Sequence, residues 1–121
     1  MATSPKCCSP ELRVFKLNFN KLVNCIPPWM ATEFYSNDLI SRELHKYVID
    51  TTGLPESQKV RKVLLAVENQ IVVNPSILHK FLSVVRADPS LVYIADALSD
   101  QYCKWKGLTP LLCVAYKELL F

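Results

Sequence analysis

The stretch Pro55-Glu-Ser-Gln-Lys-Val-Arg-Lys-Val-Leu-Leu-Ala-Val-Glu-Asn-Gln-Ile71 decides the fold class. Val60, Val63, Leu64, Val67 and Ile71 recur at i, i+3, i+4, i+7 and i+11, the spacing of one helical face. Lys59, Arg61, Lys62, Glu68 and Gln70 lie off that stripe and predict a solvated face. Pro55 suits the first turn of a helix, and Glu56 complements the helix dipole there. Valine leans toward strand, but a helical period held this long outweighs that preference.

The same period extends in both directions. Upstream, Phe15, Phe19, Leu22, Val23 and Ile26 share one face of a first helix, which Pro27-Pro28 stops. A second segment runs from about Trp29 to Leu39, with Met30, Phe34 and Tyr35 as apolar contacts and Ser36-Asn37-Asp38 as its punctuation. Ile40, Leu44, Tyr47 and Val48 give a third face, with Ser41 as N-cap and Gly53 as the left-handed residue at its end. Downstream, Asn74-Pro75 and Asp88-Pro89 each pair a capping side chain with a proline and open two further helices. Leu78, Phe81, Leu82 and Val85 form the buried stripe of the fifth, and Leu91, Ile94, Ala95 and Leu98 that of the sixth. Most of the eight prolines therefore mark helix boundaries rather than contradict helices.

The expected organisation is a flexible lead-in over residues 1–11, one all-α domain over 12–100, and a remainder over 101–121. Thr109-Pro110 repeats the cap-proline start, with Leu111, Ala115 and Leu119 on one face. The remainder is thus either a tail or an additional helix. Two glycines in 121 residues argue against a hairpin-rich β fold and against a glycine-rich phosphate loop.

Composition narrows the function classes. Fourteen basic and eleven acidic side chains leave a net charge of +3, too mild for the strongly basic face of a typical nucleic-acid binder. No apolar run of about 18 residues predicts a membrane span. The N-terminal residues lack the apolar core of a signal peptide, and a cytoplasmic protein is expected. Cys7, Cys8, Cys25, Cys103 and Cys113 include no C-x-x-C pair, so free thiols are expected in a reducing compartment. Cys7-Cys8 fits either an unstructured lead-in or a palmitoylation site, whereas Ala2 excludes the myristoylation pattern. Cys25 fits a small core residue.

No catalytic or metal-binding constellation is evident, and neither cofactor nor small-molecule substrate is expected. His45 and His79 sit beside apolar stripes without a metal partner at helical spacing and read as boundary residues. Charge distribution carries more information. Lys16 and Lys21 lie on the first helix and Lys59, Arg61 and Lys62 on the fourth, whereas Glu33, Asp38, Glu43 and Asp50 lie on the second and third. Separate basic and acidic faces would let copies associate head to tail.

Four stretches, in order, resemble the death-fold superfamily and within it the caspase-recruitment domain. They are Phe19-Asn-Lys-Leu-Val, Asn37-Asp-Leu-Ile-Ser-Arg-Glu-Leu, Ser57-Gln-Lys-Val-Arg-Lys-Val-Leu-Leu, and Phe81-Leu-Ser-Val-Val-Arg-Ala-Asp-Pro-Ser-Leu. The resemblance implies a six-helix antiparallel Greek-key bundle over residues 12–100. It also implies homotypic binding to other death-fold domains, including self-association, in apoptotic or innate immune signalling. By position, Lys21, Lys59, Arg61 and Lys62 match the family's basic interaction surface, and Glu33, Asp38, Glu43 and Asp50 its acidic one. The chain departs from the pattern in the apolar loop Val72-Val-Asn-Pro and in the segment after residue 101, which leaves a death-effector-like module open. Two other classes compete. Lys59, Arg61 and Lys62 on one helix would suit a small nucleic-acid-binding domain, and five cysteines with two histidines would suit a Cys-dependent enzyme.

Overall fold

In a computed structural model, residues 9–119 are described and carry eight α-helices. These are α1 (Pro10–Leu17), α2 (Phe19–Cys25), α3 (Met30–Ser36), α4 (Arg42–Asp50), α5 (Glu56–Val73), α6 (Ile77–Arg86), α7 (Val92–Lys106) and α8 (Pro110–Leu119). A 3-10 turn, Pro89–Leu91, leads into α7. There is no strand among the described residues. Residues 1–8, with the lead-in and the Cys7-Cys8 pair expected there, lie outside the described residues.

The stripe that settles the fold class forms as expected. Val60, Val63, Leu64, Val67 and Ile71 are all buried along α5, the longest helix of the bundle. The buried stripes of α6 and α7 also coincide with the predicted ones. At the centre, Phe81 of α6 packs edge-on against Phe15 of α1, with ring centroids 5.2 Å apart. It also stacks on Phe34 of α3 at 5.4 Å. Three helices distant in sequence thus converge on one aromatic column, whose geometry adds to the burial of its area.

The helix ends show which local signals were sufficient. Ser41 Oγ accepts from the Leu44 amide, and Thr109 Oγ1 from the Leu112 amide, so both are the expected caps. Asn74 Oδ1 holds the turn before α6 through the Ser76 amide and hydroxyl, and Asp88 Oδ1 does the same for Ser90. Both side chains order the turn rather than cap the α-helix itself. Pro55 stands one residue before α5, at its N-cap.

Several expectations are corrected. The predicted first helix is two helices, broken at Asn18. The buried Asn18 side chain donates to the Val14 carbonyl at 2.8 Å and to Gln101 Oε1 of α7 at 3.0 Å. Its backbone amide makes a tight bond to Phe15 O instead of continuing the α-helical ladder. Gly53 is left-handed, with φ 85°, but α4 has already ended: Thr51 is extended and closes it. The left-handed C-terminal residues are instead Asp38 after α3 and Gly107 after α7. Leu39 N then bonds Phe34 O, and Leu108 N bonds Cys103 O, the six-to-one closure of a Schellman motif. Tyr35, expected as an apolar contact, is exposed and stacks on His45.

The expected boundaries at residues 11 and 101 fall inside helices. Helix α1 starts at Pro10 with Ser9 as its cap, and α7 continues through buried Tyr102 and Cys103 to Lys106. The remainder forms α8, which packs on α7 through Tyr116. Its inward side is Cys113, Tyr116 and Lys117, whereas Leu111 and Ala115 of the predicted face are exposed. On that side Tyr116 meets His79 of α6 and Lys117 meets Asp100 of α7.

Candidate protein-interaction surface

Three of the four basic residues lie on α5, and Lys21 lies on α2, which packs against it. Phe19, at the start of α2, sits beneath Arg61, whose guanidinium carbon is 5.7 Å from the ring centroid. Val23 to Ile26, at its end, border the same groove as Glu56, Ser57 and Val60. Lys21 is on the stretch between these two points of contact. Lys21, Arg61 and Lys62 are exposed and Lys59 is half-buried. Lys62 leans to the other flank of α5, its ammonium 5.4 Å from the Tyr47 ring of α4. Aromatic rings, not carboxylates, therefore hold Arg61 and Lys62 in place.

The four acidic residues are all exposed, but they are spread along the α3–α4 pair. Glu33 borders a groove with Trp29, Val84 and Pro89. Asp38 sits in the left-handed turn between the helices, with φ 61°, a conformation that Asp tolerates better than most residues. Glu43 is in the first turn of α4 and Asp50 at its last residue. Among the described residues none of the eight charged groups forms an ion pair.

The acidic surface is not purely acidic. Arg42 and Lys46, which the sequence reading passed over, line a groove with Tyr35, His45, Ile49 and Asp50. There the His45 ring stacks on Tyr35 at 4.7 Å, and its Nε2 lies 3.1 Å from Thr32 Oγ1. Their spacing at i, i+3 and i+4 in Arg42-Glu43-Leu44-His45-Lys46 was the signal that places them on one side of α4.

A second polar cluster joins α1, α6, α7 and α8. His79 of α6 stands between Tyr116 of α8, 2.6 Å from Nδ1, and Glu11 of α1, 3.7 Å from Nε2. Tyr102 of α7 donates to the same Glu11 oxygen at 3.1 Å. Burial lowers the His79 pKa; Glu11 opposes this and Lys106 adds to it. Burial also pushes the Tyr102 hydroxyl up to about 12, with the Glu11 charge in support. Both groups are thus neutral near pH 7. They form a structural seam between four helices, and Arg86–Asp96 at 2.9 Å is a further tie between α6 and α7. The boundary reading of His79 is met, but its network was not legible, because Glu11 and Tyr116 lie far from it in sequence.

Cys25 is half-buried against the core, and Cys103 is buried. Among the described residues, no three His, Cys, Asp or Glu side chains gather as a metal site, and no helix is long and apolar enough to cross a membrane. No family model matches the chain, and no curated protein or solved structure matches it significantly.

Proposed function

We propose that this helical bundle is a death-fold interaction module of the caspase-recruitment type, with its first six segments in Greek-key order. In this reading it binds other death-fold domains, copies of itself included, in apoptotic or innate immune signalling in the cytoplasm. Its role is binding rather than catalysis. Lys21, Lys59, Arg61 and Lys62 form one contact surface; Glu33, Asp38, Glu43 and Asp50 form its complement.

One observation carries the proposal. Eight charged groups of opposite sign stand on separate helix pairs, and none is paired among the described residues. Exposed charges add little to the stability of their own fold. Presented to a complementary surface, they direct encounter and register. A contact between two different faces of one molecule propagates into rings or open filaments.

Light scattering of the purified chain tests this. Lys62→Glu and Glu43→Lys each weaken self-association, added salt weakens it further, and the double reversal partly restores it. Unchanged association in both single variants overturns the assigned surfaces. A wild-type chain that stays monomeric at every concentration overturns self-association.

The presence of Lys21, Lys59, Arg61 and Lys62 on the packed helices α2 and α5 also favours a second reading, a nucleic-acid-binding domain. Binding to DNA or RNA should then fall steeply with salt as counterions return to the phosphates. No mobility shift at low salt removes it.

A further inference from the structure

Helix α4 carries Arg42, His45, Lys46, Ile49 and Asp50 at i, i+3, i+4, i+7 and i+8, a spacing that gathers them on one side. With Tyr35 of α3 they line one open groove of about 360 Å³. That is the small end of the ~300–1,000 Å³ of sites that hold organic ligands, room for a single ring and its substituents. The groove has a fixed aromatic wall. The Tyr35 and His45 rings lie parallel within 5°, with centroids 4.7 Å apart, and His45 Nε2 is 3.1 Å from Thr32 Oγ1. Ile49, at 55% exposure, adds an aliphatic surface. Arg42 and Lys46 are exposed, and among the described residues neither forms an ion pair. Asp50, the one carboxylate of the lining, stands eight residues beyond Arg42, about 12 Å along the helix axis.

We propose that this groove binds the phosphotyrosine of a partner peptide, with the phosphate between Arg42 and Lys46 and the ring against Tyr35 and Ile49. The proposal does not rest on the death-fold reading, and it concerns residues outside the two surfaces assigned above except for Asp50.

Charge decides between anions. A phosphate monoester carries about −1.5 to −2 at neutral pH, which two cations balance, whereas a carboxylate would leave one of them unmatched. Arginine meets phosphate with two parallel N–H donors, and lysine adds a point charge. The first turn of α4 brings the positive end of the helix dipole to the same place. Glu43 is in that turn too, but it does not line the groove. Asp50 lies at the far end, where its carboxylate accepts from a backbone amide of the peptide instead of opposing the phosphate. The ring decides between phosphates. Tyrosine bears its phosphate on the ring itself, so that both reach a groove of this size together. A nucleotide separates base and phosphate by a sugar.

Titration of the isotope-labelled full chain, followed by NMR, tests this with phenyl phosphate, inorganic phosphate, AMP, and one tyrosine peptide with and without its phosphate. The phosphopeptide and phenyl phosphate should shift the amides of Thr32, Tyr35 and α4, and the unphosphorylated peptide should not. Phenyl phosphate should bind at least about threefold tighter than inorganic phosphate. Arg42→Gln and Lys46→Gln should each weaken the phosphopeptide at least about tenfold, and Lys21→Gln should leave it unchanged. The wild-type titration decides by itself should a variant fold poorly. No shift with the phosphopeptide at millimolar concentration overturns the site, as do shifts centred on α2 and α5. Inorganic phosphate bound as tightly as phenyl phosphate overturns the role of the ring, and AMP bound as tightly overturns the choice of tyrosine.

Discussion

The imidazole Nδ1 of His79 and the hydroxyl of Tyr116 stand 2.6 Å apart, joining α6 to α8. Neutral histidine has one donor and one acceptor nitrogen, and the neighbours assign them. Glu11, beside Nε2, takes the N–H, so Nδ1 accepts from the Tyr116 hydroxyl, which burial keeps protonated. A charged imidazole would donate from both nitrogens instead, and it is burial that works against that charge.

Stability should therefore fall on mild acidification. Burial holds the folded His79 pKa below the ordinary value of about 6.5. As pH falls through that ordinary value, the unfolded chain takes up a proton that the folded chain resists. The contribution of His79 is complete above it and is lost as pH drops through the lower folded value. Thermal midpoints at pH 7 and pH 5 should differ more in the wild type than in His79→Gln. Equal differences would remove His79 as the source.

Asn18 is the joint of the N-terminal segment. Asn18→Ala removes the bonds to Val14 O and to Gln101 and leaves a buried carbonyl without that donor. The expected loss is about 1–3 kcal/mol, read from urea denaturation. A loss near zero would mean that the break between α1 and α2 does not depend on this side chain.

Phe81 is the middle ring of the aromatic column. Phe81→Ala withdraws it from Phe15 and Phe34 together and opens a cavity where three helices meet. It should cost about 3–5 kcal/mol in chemical denaturation. A milder loss would show that α1, α3 and α6 can collapse onto the vacated space.

Gly107 tests backbone strain without steric crowding. Its φ is 73°, yet a Cβ added there would meet nothing within 4 Å. Gly107→Ala should destabilise the chain by about 1–2 kcal/mol through the left-handed conformation alone. Gly107→Asn should recover part of this, since Asn tolerates that region. Thermal unfolding of both variants gives the comparison; equal midpoints would mean that the turn relaxes on substitution.

Much of the bundle was legible locally. The valines and leucines of α5 announce its buried side, and Ser41 and Thr109 announce the starts of α4 and α8. Period and capping depend on neighbours within one or two turns, which a linear reading can see. The break at Asn18 was not legible, because Gln101, 83 residues away, supplies one of the side chain's two partners. The candidate surface divides in the same way. That Glu33, Asp38, Glu43 and Asp50 are polar positions could be read from the period. Their dispersal along α3 and α4, with Arg42 and Lys46 among them, depends on how the two helices turn against each other.

By itself, then, the sequence determined an all-helical chain, the faces its helices bury and several of the caps that start them. Each of these is written in residues close enough to interact within a single element. Only tertiary structure decided that α2, which carries Lys21, would pack on α5, which carries Arg61, that Glu11, His79, Tyr102 and Tyr116 would meet, and that α8 would turn Cys113 rather than Leu111 inward. Those outcomes arise where helices with similar apolar stripes must choose partners. There a few polar contacts between distant residues outweigh the hydrophobic period of a short terminal helix.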